Sequence, residues 1–429
     1  MHGILNKLGI VKIILVILCA LAFIIGVYSI FQIYVGGMDA ISRVANWFMA
    51  QIGVFLLFIV IAATFILLKL TGKKDHPKTY FAIMIIGFTI AGLNSVPLFL
   101  TPISISNANA EFSAGFGENW ETTIPDDVKS FFMHSPFNIP QQFLGVPHKE
   151  CQFIENVLYY EDPDEEVSLY FDVYMPKEPD ENLPGNRSTI IKIHGGGWTA
   201  GDKSTGNMPV VNKYLAAQGY VVFDIQYGLG DMGSLGALAI ITPENVIGNY
   251  TFIDMVKQIG IFTKLLESNY SAEYNANLES VYIMGGSAGG HLTCVTGFGY
   301  NENYFNGIFS ENINIKGIIP LYPPSNVSWA GASGLLPGSP ETDPELFDAY
   351  SPTTLIDSND PPVLIYQGTA DKLVDFSNSI EIESTCDNVG VTCCNLLFPL
   401  AGHASDIFFS TNFGQVWLYY LERFLYLTQ

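Results

Sequence analysis

Residues 281–291 read VYIMGGSAGGH, and this stretch decides the fold. An apolar run suited to a buried strand enters a glycine-rich turn around Ser287, and a helical pattern follows. Small neighbours permit a sharp, strained turn that lifts the serine hydroxyl above the sheet, the G-x-S-x-G arrangement of a nucleophile elbow. The helix N-terminus that follows favours developing negative charge. The turn therefore predicts a nucleophilic serine, and a phosphate-binding turn is the alternative.

A second glycine-rich turn precedes the first by one strand-helix-strand unit. Residues 193–198 read IHGGGW, directly after a predicted strand. Consecutive glycines let backbone N–H groups approach a substrate carbonyl, and the amide of Ala288 would join them at the oxyanion of a tetrahedral intermediate. We interpret His194 as fixing this loop. His291, one helical turn beyond Ser287, is interpreted as structural, because a base must approach the hydroxyl from across the cleft.

Two further segments carry titratable side chains after predicted strands. Residues 367–374 read QGTADKLV and contain Asp371, and residues 400–406 read LAGHASD and contain His403. Open α/β sheets place their sites at the carboxyl ends of strands. Serine, aspartate and histidine also follow one another in the chain order of α/β-hydrolases. We therefore expect Ser287, Asp371 and His403 to form a catalytic triad.

The body of the chain alternates short β-branched runs with helical patterns. The runs predict strands at 153–160, 167–174, 189–194, 220–225, 280–284, 317–321, 362–367 and 394–398. The helical patterns lie at 206–218, 251–268, 289–299, 378–389 and 413–427. Most strands are continuously apolar, as expected where both faces of a parallel sheet are covered. The pattern predicts an α/β fold with a mostly parallel sheet and helices on both faces.

The front of the chain has a different character. Three uncharged runs, at 13–38, 44–68 and 79–110, exceed the roughly 20 apolar residues that a helix needs to cross a bilayer. A helix satisfies its own backbone hydrogen bonds in lipid, so we predict three transmembrane helices, at about 13–35, 47–68 and 79–101. Trp47 and Tyr80 lie at the ends of these spans, where amphipathic rings favour the interface.

Charge divides the chain in the same way. Residues 1–105 carry seven basic and two acidic side chains, a balance of +5, and the rest carries 12 basic and 39 acidic ones, a balance of −27. Four lysines flank the turn between the second and third spans, and basic loops stay cytoplasmic. We therefore predict an integral membrane protein with a cytoplasmic N-terminus and an extracytoplasmic body. That body offers no basic face for phosphates, which excludes nucleic acid as a partner.

These observations predict three parts. Residues 1–105 form a membrane anchor, residues 106–150 a connecting segment, and residues 151–429 the catalytic domain. The middle segment is rich in Phe, Pro and Asn, and it fits a linker and a partial cap over the active site equally well. No motif calls for an organic cofactor, and no Cys/His spacing indicates a metal site.

Residues from about 152 to 426 resemble the α/β-hydrolases of the hormone-sensitive-lipase-like and bacterial feruloyl/acetyl esterase (carboxylesterase) group. The resemblance rests on HGGGWTAGD at 194–202, GGSAGGHL at 285–292, PPVLIYQGTAD at 361–371 and GH at 402–403. It implies a catalytic triad in which Ser287 is the nucleophile, Asp371 the orienting acid and His403 the base. It also implies that the backbone amides of Gly196, Gly197 and Ala288 hold the oxyanion. The anchor of three spans lies outside the family pattern.

The resemblance implies hydrolysis of carboxylic esters through an acyl-enzyme intermediate. Gly286 stands where lipase-like members often carry an acid, which favours the feruloyl/acetyl esterase branch. The acidic body favours small neutral acyl esters or acetylated and feruloylated glycans over polyanions. Two alternatives stay open: an amidase or peptidase on the same triad, and a catalytically inactive, esterase-like adhesion or receptor ectodomain.

Overall fold

The structure, a computed structural model, describes residues 2–37, 39–147, 150–177, 182–205, 208–231, 241–328 and 334–429. The chain divides into two units. The first consists of Met1–Ser104, Gly368–Leu373 and Phe398–Ser405, and the second of Ile105–Gln367, Val374–Leu397 and Asp406–Gln429. The first unit thus combines the helical front of the chain with two short loop segments from far along the sequence.

The front of the chain forms three long helices, α1 (His2–Tyr34), α2 (Ala40–Thr71) and α3 (Pro77–Phe99). The prediction of three helices long and apolar enough to cross a membrane is confirmed. Helix α2 begins at Ala40, before the predicted start of its span at residue 47. The reason is that apolar composition marks the part of a helix suited to lipid, whereas the helix itself continues through polar residues.

Small residues let these helices approach closely. A Cβ atom on Gly53 would lie 2.3 Å from the carbonyl oxygen of Asn94, and one on Gly87 would lie 2.0 Å from Oγ1 of Thr64. The side-chain amide of Asn94 donates a hydrogen bond to the carbonyl of Gly26 at 3.0 Å. Small side chains and interhelical hydrogen bonds of this kind are what hold helices together in lipid.

The second unit is built on an eight-stranded sheet with the order β1-β2-β4-β3-β7-β8-β9-β10. Its strands are β1 (Cys151–Asp162), β2 (Val167–Pro176), β3 (Ser188–Ile193), β4 (Val221–Ile225), β7 (Asn277–Gly286), β8 (Ile315–Leu321), β9 (Val363–Gly368) and β10 (Cys393–Phe398). A short parallel pair, β5 (Leu229–Gly230) and β6 (Ile247–Gly248), stands apart. The pairs β1–β2 and β2–β4 are antiparallel, and the pairs from β4 through β3, β7 and β8 to β9 are parallel.

The predicted α/β class is confirmed by this sheet and by the helices that connect its strands. Helices α7 (Met208–Ala217), α8 (Phe252–Leu265), α9 (Ser271–Glu273), α10 (Ala288–Gly299), α11 (Pro344–Ala349), α12 (Pro352–Leu355), α13 (Ser377–Val389) and α14 (Asn412–Leu427) follow β3 and later strands. Every residue of β3, β4 and β9 is buried, as expected for strands covered on both faces. Of the predicted helix at 206–218, residues 206 and 207 lie outside the described part.

The segment predicted at 106–150 contains helices α5 (Asp126–Lys129) and α6 (Ile139–Leu144) and most of α4 (Thr101–Phe116), which begins within the predicted anchor. Its residues 148 and 149 lie outside the described part of the chain. The segment packs on α14, where Tyr420 donates a hydrogen bond to Oδ1 of Asn109 at 2.8 Å. Glu422 accepts another from the amide of Met133 at 2.5 Å. Phe112 is fully buried in the same contact, so α4 from Ile105 onward and the following turns are part of the second unit.

Candidate active site

Ser287 lies between β7 and α10, at the first turn of the helix. Its backbone has φ 58° and ψ −121°, a conformation that costs a non-glycine residue energy and persists only where the surroundings enforce it. A Cβ on Gly285 would lie 2.5 Å from the carbonyl oxygen of Ile193, and one on Gly289 would lie 2.2 Å from the same oxygen. The two glycines of the G-x-S-x-G pattern are therefore required by the end of the neighbouring strand β3.

The glycine loop after β3 runs beside this turn. A Cβ on Gly195 would lie 2.7 Å from the carbonyl oxygen of Gly286. Gly196 has φ 131° and Gly197 has φ 63°, values that suit glycine, and a Cβ on Gly197 would meet no atom within 4 Å. The predicted oxyanion donors Gly196, Gly197 and Ala288 thus stand on adjacent loops of one unit, because β3 and β7 are paired neighbours.

Two buried histidines support these loops. His194 is fully buried and stacks on Tyr227 with ring centroids 4.4 Å apart. His291 places its Nε2 2.8 Å from the carbonyl of Tyr350, and its Nδ1 accepts from Trp198 Nε1–H at 3.3 Å. Burial lowers the pKa of each imidazole to about 4, because a low-dielectric interior disfavours the charged form. Both rings are therefore neutral and packed, in agreement with the structural reading of these residues.

Asp371 and His403 follow the carboxyl ends of β9 and β10. His403 Nδ1 lies 2.7 Å from Oδ2 of Asp371, and both residues are only 3% exposed. The other carboxylate oxygen of Asp371 accepts a hydrogen bond from the amide of Leu373 at 2.8 Å. With Nδ1–H directed at the carboxylate, the lone pair of the neutral ring is on Nε2, which is the tautomer that a general base requires.

The segment around His403 also contacts helix α2, in the first unit. The rings of Trp47 and His403 are 5.8 Å apart and tilted by 48°. The side-chain amide of Gln51 donates to the carbonyl of Ala404 at 3.4 Å. Sequence reasoning placed Trp47 at a membrane interface and missed this contact. The available signal was the presence of Asn46 and Gln51, two amides beside a tryptophan in an otherwise apolar run.

Within the described residues, the site residues predicted from sequence fall into two sets. Ser287, its neighbour Ala288 and the glycine loop belong to the second unit, and the pair Asp371–His403 belongs to the first. No group of three or more His, Cys, Asp and Glu side chains in the described ranges is arranged to hold a metal ion.

Family comparisons fit this arrangement. A model described as the carboxylesterase family matches residues 141–313, and a model described as BD-FAE matches residues 248–385. Together they include the glycine loop, the serine turn and Asp371. The chain thus resembles the carboxylesterase group of α/β-hydrolases. The expected resemblance to this group is therefore confirmed.

Relatives of this α/β-hydrolase include two proteins of Mycobacterium tuberculosis. The probable carboxylic ester hydrolase LipM is 25% identical over 46% of this chain and 44% of its own length. Esterase LipC is 21% identical over 66% of this chain and 67% of its own length. The match thus spans less than half of LipM. Among solved structures, one is esterase B of Lactobacillus rhamnosis with a tributyrin phosphonate inhibitor. The match covers 75% of this chain and 96% of the esterase chain, with 19% sequence identity and a TM-score of 0.49.

Proposed function

We propose that this chain is a membrane-anchored serine hydrolase that cleaves carboxylic esters. The observation that carries the proposal is the buried hydrogen bond of 2.7 Å between Asp371 and His403, in a chain that also holds Ser287 in a strained turn after a parallel strand. Asp–His pairs of this kind orient the base that activates a serine. The three-part division into anchor 1–105, connecting segment 106–150 and catalytic domain 151–429 belongs to the same proposal.

The reaction has two halves. Ser287 Oγ attacks the ester carbonyl while Nε2 of His403 takes its proton, and the alcohol leaves with that proton. Amides of Gly196, Gly197 and Ala288 hold the oxyanion of the tetrahedral intermediate. Water then attacks the acyl-enzyme by the same route and releases the carboxylic acid. Asp371 holds the imidazole tautomer and stabilises the imidazolium.

The proposed orientation has the N-terminus in the cytoplasm and the catalytic residues outside. Four lysines, at positions 69, 73, 74 and 78, surround the turn between α2 and α3, and basic turns of this kind are retained in the cytoplasm. The loop of His403 contacts α2 at Trp47, at the opposite end of that helix. The base would then lie on the extracytoplasmic side.

The proposed substrate is a neutral carboxylic ester, whether a small acyl ester or an acylated glycan. The support is electrostatic, since residues 106–429 carry 12 basic and 39 acidic side chains. Such a surface repels nucleic acids and other polyanions over about one Debye length, roughly 10 Å at ordinary salt.

The test uses the full-length protein in detergent, with a short p-nitrophenyl ester and a fluorophosphonate probe. Wild type should hydrolyse the ester and carry the label, whereas Ser287→Ala should do neither and keep its melting temperature. Ser384→Ala, an exposed serine on α13, is the matched control and should behave as wild type. A matching p-nitroanilide separates esterase from amidase. Equal turnover and labelling by the Ser287 variant and wild type would refute the assignment.

A further inference from the structure

The beginning of α2 contacts three consecutive residues of the loop that carries the proposed base, namely Gly402, His403 and Ala404. A Cβ on Gly402 would lie 2.4 Å from the backbone oxygen of Asn46. The ring of Trp47 packs against the ring of His403, and Gln51 donates to the carbonyl of Ala404. Successive turns of one helix therefore fix the backbone on both sides of the imidazole as well as the imidazole itself.

The loop of the orienting acid is held by the same end of the helices. Gly36 lies in the turn between α1 and α2 and has φ 68°. A Cβ placed on it would lie 2.9 Å from Cγ of Lys372, the residue after Asp371. The loop of Asp371 thus packs at the α1–α2 turn and the loop of His403 against the first turns of α2, both within the unit that contains the membrane-spanning helices.

The length of α2 fixes the depth of these contacts in a bilayer. The helix has 32 residues, which is about 48 Å at 1.5 Å per residue. A hydrocarbon core of about 30 Å takes about 20 residues. With Lys69 in the headgroups at one face, the far hydrocarbon boundary falls at about residue 49. A tilt of about 20° moves that boundary by about one residue.

Trp47 consequently lies in the interfacial layer, where tryptophan is enriched. The distribution of side chains along α2 agrees with this depth. Asn46 and Gln51, 3% and 1% exposed, lie near its beginning, whereas Phe58 and Phe65, further along, are 55% and 58% exposed. Exposed apolar rings are suited to lipid, whereas the buried amide of Gln51 donates to the loop of His403 and that of Asn46 to the carbonyl of Gln32 on α1.

We propose that the ester is cleaved at the depth of the lipid headgroups, and that the substrate is a neutral acyl ester resident in the bilayer. This inference rests on the proposed esterase function. The imidazole ring lies 5.8 Å from an interfacial tryptophan, and the ester group of an amphiphile with a hydrocarbon chain sits in the same layer. Water enters, the acyl–oxygen bond breaks, and a carboxylic acid and an alcohol result, one of which keeps the hydrocarbon chain.

The experiment compares two substrates with the same reacting group, using the full-length protein in phosphatidylcholine nanodiscs. One is the butyrate ester of 7-hydroxycoumarin, and the other is the same ester with a hexadecyl chain on the ring. Acetylated xylo-oligosaccharide is the third substrate. We expect kcat/KM for the tailed ester to exceed that for the untailed ester by about tenfold or more, because the chain partitions it into the bilayer. Equal or better hydrolysis of the soluble ester or the oligosaccharide would overturn the inference.

Trp47 is the positioning residue that links the helix to the base, and it provides a second measurement. Trp47→Ala should lower kcat on the untailed ester by about tenfold or more with little change in KM, because the imidazole loses its support. Trp47→Phe should restore most of the rate. Phe65→Ala removes a ring further along α2 that contacts Phe88 of α3 and should leave kcat unchanged.

The outcomes separate this inference from the function on which it rests. A wild-type protein that hydrolyses neither ester and takes up no fluorophosphonate would refute the esterase itself. A labelled, active protein whose Trp47→Ala variant matches wild type would instead refute the role of α2 alone.

Discussion

Replacing Gly402 by alanine is expected to slow ester hydrolysis by about a hundredfold. The added Cβ would lie 2.4 Å from the backbone oxygen of Asn46 and 2.5 Å from its Oδ1, whereas ordinary contacts begin at 3.4 Å. The backbone oxygen belongs to a helix and cannot rotate away. The loop must therefore move by about 1 Å, and the adjacent residue that moves with it is His403.

The magnitude follows from what such a movement costs. A misplacement of about 1 Å in a catalytic group can reduce the rate by about 10²-fold. Overpacking of a close contact typically costs about 1–3 kcal/mol in stability. We therefore expect a large loss in kcat together with a modest fall in melting temperature, so that the variant stays folded under the conditions of the assay.

The assay measures kcat with a saturating short ester and the rate of fluorophosphonate labelling, both on full-length protein. Gly92→Ala is the matched control, because a Cβ there meets no atom within 4 Å. Alanine is also preferred to glycine within a helix by about 1 kcal/mol. A Gly402 variant with turnover and labelling close to those of wild type would show that α2 does not constrain the base.

Three other predictions concern the second unit and the Asp–His pair. Asp371→Asn should reduce kcat by about 10⁴-fold with the fold intact, since an amide permits the wrong imidazole tautomer; an unchanged kcat would exclude this role. Unfolded His291 binds a proton below about pH 6.5, whereas the folded ring, with a pKa of about 4, does not. His291 should therefore contribute a fall in stability of on the order of 3 kcal/mol between pH 6.5 and 4, and chemical denaturation of His291→Gln should lack this contribution. Glu422→Ala leaves buried Arg423 unpaired and should destabilise the protein by about 3–5 kcal/mol, measured by thermal melting against Glu345→Ala, an exposed residue on α11.

Much of the sheet could be predicted because its strands are marked by composition. The predicted strand at 280–284 lies within β7, Asn277–Gly286, and the predicted helix at 413–427 matches α14, Asn412–Leu427. Continuous apolar runs between glycine turns leave few alternatives in a chain of this length. The glycine pattern around Ser287 was informative for a further reason: the carbonyl of Ile193 occupies the space that any side chain there would need.

Other features have no local signal. Helices α5 and α6 have four and six residues, too few to establish a helical period. The contact of Gln51 with Ala404 joins residues 353 apart in the chain. Only the tertiary fold brings such positions together, so a single sequence could assign His403 a chemical role without revealing the helix that supports it.

The packing of the connecting segment on α14 has a consequence for biosynthesis. Met133 and Glu422 are 289 residues apart, and Asn109 and Tyr420 are 311 apart. At about 5–20 residues per second, roughly 15–60 s separate the synthesis of the two partners. Throughout that interval Phe112 and its apolar neighbours lack the helix that covers them in the folded chain. In the proposed topology these apolar side chains wait uncovered at the membrane surface, so mutations in α14 should lower the yield of folded protein before they affect its chemistry.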